Sequence, residues 1–73
     1  MSTAKLSLEH GNRYPYDAKA GAIPYDWAHR AARGCIADLL DRNVINNALK
    51  DIDDTTRAEI VKTLAEIIRM AKP

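Results

Sequence analysis

Phenylalanine is absent from this chain, cysteine and tryptophan occur once each, and glycine and proline three times each. A single thiol, Cys35, excludes an intramolecular disulfide and suits a reducing compartment. The two histidines, His10 and His29, join no set of thiols or carboxylates with the spacing of a structural zinc site. Asp51, Asp53 and Asp54 fall close together but lack the glycine and terminal glutamate of an EF-hand loop. Glycine-rich phosphate loops are missing. So is a nucleophile beside an oriented base: Cys35 lies on an apolar helical stripe, where a thiol serves as a small core residue. These absences predict no catalytic residues, no cofactor and no metal.

No apolar run approaches the roughly 20 residues of a membrane span, and residues 1–8 do not read as a signal peptide. A cytoplasmic protein is the expectation. Charge of one sign is lacking too. The 11 basic and 10 acidic residues are interspersed and leave a net charge of +1. A protein held on DNA by counterion release wants a concentrated basic stripe, so binding to a nucleic acid polymer, including by a helix-turn-helix, is disfavoured. At 73 residues the chain is one domain near the lower limit for a self-sufficient core. With neither disulfide nor metal to help, self-association is the expected support.

What is present is concentrated. All three tyrosines and the tryptophan fall within residues 13–27, together with Pro15, Pro24 and Gly21. The stretch is either a packing anchor or a surface for flat ligands. Residues 1–23 read as an N-terminal arm, with a short extended piece at Lys5, Leu6, Ser7, Leu8 and Glu9 and a frayed start at Ser2 and Thr3. Gly11 and Asn12 read as a turn. Residues 13–23 are irregular, with at most one helical turn over residues 17–20.

Residues 24–73 read as a helical hairpin. Pro24 suits a first helical position and Asp26 a first turn. Ala28, Ala31, Ala32, Cys35, Ile36, Leu39 and Leu40 then recur at helical spacing to about Arg42 or Asn43. The Gly34 and alanine content of this helix predicts close approach of another backbone. Residues 44–52 predict a short helix or helical turn that reverses the chain. Asp53 or Asp54, or a capping box of Thr56 with Glu59, opens the last helix. Ile60, Val61, Leu64, Ile67, Ile68 and Ala71 form its apolar face. Two helices of about 19 residues would span about 28 Å each. The prediction is all-α: a two-helix antiparallel hairpin with an irregular arm, whose surplus apolar face is covered in a helical homo-oligomer.

Arg13, Tyr14, Tyr16, Lys19, Tyr25, Arg30 and Arg33 are the candidate ligand contacts, since rings stack on bases and cations meet phosphate. Pro24 divides the stretch. Tyr25 and Trp27, on the first turn of a helix, read as packing anchors; the tyrosines before Pro24 read as ligand contacts. Taken singly, Arg13 and Arg33 read as solvated.

In its order of parts the chain resembles the small phage helical-hairpin proteins that sequester nucleotide signals, the anti-CBASS sponges. Gly11, Asn12, Arg13 and Tyr14 match their N-terminal segment, and residues 67–73 their C-terminal end. The tyrosine follows the arginine here, and Asp53, Asp54, Thr55, Thr56 and Arg57 replace the family's tryptophan- and threonine-containing start of the second helix. Residues 41–42, 52–54 and 57–61 are also similar to short prophage proteins. The resemblance implies a phage-encoded anti-defence protein that binds cyclic di- or trinucleotides between protomers without turning them over. It places Tyr14 or Tyr16 on a base and Lys19, Arg30 or Arg33 on phosphate. The alternative is a protein–protein antagonist or adaptor, such as an anti-CRISPR-like inhibitor of a host defence protein or a small phage regulator. It would use the same rings as interface anchors.

Overall fold

The computed structural model describes residues 8–21 and 23–72. Among them there are four α-helices and no strand: α1 (Leu8–Arg13), α2 (Trp27–Leu40), α3 (Asn43–Leu49) and α4 (Asp54–Ala71), with a 3₁₀ turn at Ala18–Ala20 between α1 and α2. The all-α expectation is met. The irregular arm is corrected, because Leu8 and Glu9 belong to a helix, not to an extended piece. Lys5, Leu6, Ser7 and the expected fray at Ser2 and Thr3 lie outside the described residues.

Gly11 and Asn12 also lie inside α1 and form no turn. Here glycine answers a packing need. A Cβ on Gly11 would sit 2.6 Å from the backbone nitrogen of Gly34, and closer still to the carbonyl group of Arg33. The predicted backbone contact on the Gly/Ala-rich part of α2 therefore exists, and α1 makes it.

Capped by Asp26, α2 starts at Trp27, three residues after the predicted opening at Pro24. Asp26 has extended geometry (φ −69°, ψ 173°), and its side chain accepts the backbone N–H of His29 at 3.0 Å. That satisfies one of the donors a helix N-terminus leaves over. Pro24 and Tyr25 stay outside the helix. At the other end α2 stops at Leu40, short of Arg42, as the N–H groups of Asp41 and Arg42 turn back to the carbonyls of Asp38 and Leu39. Arg42 is extended (φ −102°, ψ 116°), and the amide of Asn46 donates to the Leu40 carbonyl at 2.8 Å. The Asn46 side chain thus caps the preceding helix from within α3.

Arg57 closes the next corner, donating to the carbonyls of Ile52 at 3.1 Å and Lys50 at 2.7 Å. Asp53 caps α4, accepting the Thr56 N–H at 3.1 Å. Hydrogen bonds from Thr56 hold its carboxyl below the ordinary carboxylate value. The two main helices have 14 and 18 residues, not a matched 19.

The core lies where α2 meets α4. Ala28, Ala32 and Ile36 face Val61 and Ala65, and Tyr16 completes the cluster. Small side chains bring the helices close but bury little. Leu40, Leu49, Ile60, Leu64 and Ile68 are only partly covered. Cys35 is exposed, which corrects its assignment to the core.

Candidate functional site

The stretch 13–33 is organised around a buried ion pair. Arg33 on α2 donates from Nε to Asp17 Oδ1 at 2.9 Å and from NH2 to Asp17 Oδ2 at 3.0 Å. Its NH1 donates to the Pro24 carbonyl at 2.7 Å. The Arg33 side chain is 0% exposed and that of Asp17 4%. A two-pronged guanidinium–carboxylate pair of this kind combines charge-assisted hydrogen bonds with a fixed geometry. It fastens the segment before α2 to the helix. Arg33 is therefore neither solvated nor available to phosphate, and it leaves the set of candidate ligand contacts.

Tyr16 leaves it as well. The ring is buried, its hydroxyl donates to the Leu49 carbonyl at 3.1 Å, and the Arg57 guanidinium lies 4.9 Å from the ring centroid. Tyr16 exchanges its expected role with the rings after Pro24, whereas Tyr14 stays exposed. Tyr16 is the packing anchor, while Tyr25 and Trp27, predicted to pack, are 57% and 45% exposed. A buried tyrosine needs a partner for its hydroxyl, and the end of α3 supplies one.

Tyr25 is the residue this arrangement presents. The Arg33 guanidinium carbon lies 4.9 Å from its ring centroid. One face of the ring rests on a cation that Asp17 immobilises, while more than half of the residue remains in solvent. Tyr14 is also exposed, as are Arg13, Lys19 and Arg30. Around Trp27 a second cluster joins α2 to α4. The Lys72 ammonium lies 4.8 Å and the Arg69 guanidinium 5.9 Å from its ring centroid. Arg69 also pairs with Asp26. Asp26 Oδ1 receives His29 Nδ1 at 2.6 Å. A carboxylate oxygen accepts, so Nδ1 carries the hydrogen of this bond.

Asp17, Asp26, Arg69 and Lys72 did not stand out as site residues in the sequence. Asp17 and Arg33 are 16 residues apart with a proline and a glycine between them, and no periodicity links such a pair. Among the described residues no group of three or more Cys, His, Asp or Glu side chains could hold a metal ion. No described helix is long and apolar enough to cross a membrane.

A cleft of about 390 Å³ opens beside this framework. Asp17, Ala20, Ile23 and Pro24 form one wall, α4 the other, and His29 also lines it. No family model, curated protein or solved structure matches the chain.

Proposed function

We propose that this chain is a non-enzymatic binding protein that presents rigid aromatic rings to a flat, anionic ligand. The observation that carries the proposal is Tyr25: an exposed ring whose inner face lies on the buried Arg33 guanidinium. Ordering a mobile side chain on binding costs about 0.5–1.5 kcal/mol, and a ring already held from behind avoids much of that loss. Tyr14 supplies a second exposed ring, and Arg13, Lys19 and Arg30 supply nearby charge in the sequence.

Within that class, the resemblance to phage nucleotide-sequestering proteins selects the ligand. The proposed function is sequestration of a cyclic di- or trinucleotide immune signal in pockets between protomers, in the cytoplasm of an infected host. The proposed unit is the helical hairpin formed by α2 and α4, assembled as a homo-oligomer. Base–aromatic stacking is worth about 1–3 kcal/mol per base. Calorimetric titration with a panel of cyclic di- and trinucleotides is expected to give saturable heat with at least one. Tyr25→Ala is expected to weaken that binding about tenfold with helicity retained. No heat with any member of the panel rejects the proposal.

The exposed rings of Tyr14, Tyr25 and Trp27 also favour a second reading, a protein–protein antagonist or adaptor that uses them as interface anchors. Under it a stoichiometric host protein is captured by the wild type and by the Arg13→Ala/Arg30→Ala variant, and lost with Tyr25→Ala.

A further inference from the structure

We propose that the cleft between α4 and the residues preceding α2 is a site for a small zwitterion, an apolar free amino acid. This proposal is independent of the nucleotide reading, which concerns the rings outside the cleft. Its volume, about 390 Å³, lies within the range of small-molecule pockets, about 300–1,000 Å³. The wall is built in advance: a single buried guanidinium, that of Arg33, holds both Asp17 and the Pro24 carbonyl. Ala20, Ile23 and Pro24 make that wall largely apolar, and Ala58 on the facing α4 leaves room between the two.

Charge selects the ligand. Asp17 in the wall is neutralised by Arg33, and Arg69 at the rim by Asp26. Two further lining charges, Lys62 and Glu66, have no ion-pair partner among the described residues. They stand i, i+4 on α4 with the lysine first, the weaker order for a helical pair. A site offering one free cation and one free anion complements a molecule that carries both charges and no net one. Glu66 accepts from the ligand ammonium. Lys62 donates to the ligand carboxylate. The aliphatic side chain then lies on Ile23 and Pro24.

The test uses the full chain labelled with ¹⁵N and titrated with leucine, with 3-methylbutylamine (leucine without its carboxylate) and with 4-methylpentanoate (leucine without its ammonium). Leucine is expected to shift the amide signals of Ala20, Ile23 and Ala58 saturably. Each single-charge analogue is expected to bind about tenfold more weakly, the scale of one lost charge-assisted contact. Glu66→Gln and Lys62→Met are expected to weaken leucine binding to the same degree. Both positions are exposed, so the variants keep the wild-type helical spectrum. The proposal is overturned by absence of saturable shifts with leucine, methionine and valine. Analogue binding equal to that of leucine, or indifference to both substitutions, overturns it as well.

Discussion

Arg33 turns a surface-type residue into the fastening of the N-terminal segment. Burying two charges is expensive, and mutual attraction repays the cost only when geometry and the remaining hydrogen bonds are good. Here three guanidinium donors have partners at 2.7–3.0 Å, and the Tyr25 ring covers one face. Removing one partner strands the other charge. Asp17→Ala and Arg33→Met are each expected to cost about 3–5 kcal/mol, read from urea denaturation. The double variant Asp17→Leu/Arg33→Met is expected to cost clearly less than the sum, because neither charge is then left alone. Additive losses contradict a coupled pair. This pair also explains why the aromatic stretch was only half legible in sequence. Composition marks the stretch, but helical position alone cannot say which ring is buried. Tyr16 is drawn in by the Leu49 carbonyl, 33 residues away, and Trp27 is held at the surface by Arg69 of α4 and by Lys72 just beyond it. Cys35 was misplaced for a related reason: α2 meets α4 through Ala28, Ala32 and Ile36, and the thiol lies off that line.

Elements with local signals were legible. The cap at Asp53, the apolar spacing from Ile60 to Ile68, the short helix after Asn43 and the turn at Ala18–Ala20 all depend on neighbours within about four residues. The helix α1 depends on something distant. Gly11 lowers helix propensity, so the segment reads as a turn, yet the glycine is there because the backbone of α2 passes against it. Two effects oppose each other on substitution. Alanine in place of a helical glycine gains up to about 1 kcal/mol from propensity, whereas overpacking costs about 1–3 kcal/mol. The obstructing atoms belong to the backbone of Arg33 and Gly34, which cannot rotate away as a side chain can, so the clash wins. Gly11→Ala is expected to destabilise the protein by about 1–2 kcal/mol. Hydrogen exchange is expected to show the loss first in the amides of α1. A more stable Gly11→Ala protein would mean that α1 does not sit this close.

For the whole molecule the question is where the missing burial comes from. Among the described residues only Ile36 and Val61 of the larger aliphatic side chains are fully buried, whereas Val44, Ile67 and Met70 are 81%, 54% and 84% exposed. Full burial of one large aliphatic side chain contributes about 1.5–3 kcal/mol, so covering Ile67 and Met70 would add a sizeable fraction of the stability of a small domain. They lie three residues apart on one flank of α4, with Ile60 and Leu64 continuing the strip toward its N-terminus. In the homo-oligomer proposed above, this strip is the surface that a neighbouring protomer would cover. The double substitution Ile67→Lys/Met70→Lys adds two charges there and disturbs no core contact, because both side chains are already largely in solvent. Sedimentation equilibrium is expected to give a concentration-dependent oligomer for the wild type. For the variant it is expected to give a single species of monomer mass with an unchanged helical spectrum. A wild-type protein that remains at monomer mass across the accessible concentrations removes the homo-oligomer, and with it the pockets between protomers on which the sequestration mechanism depends.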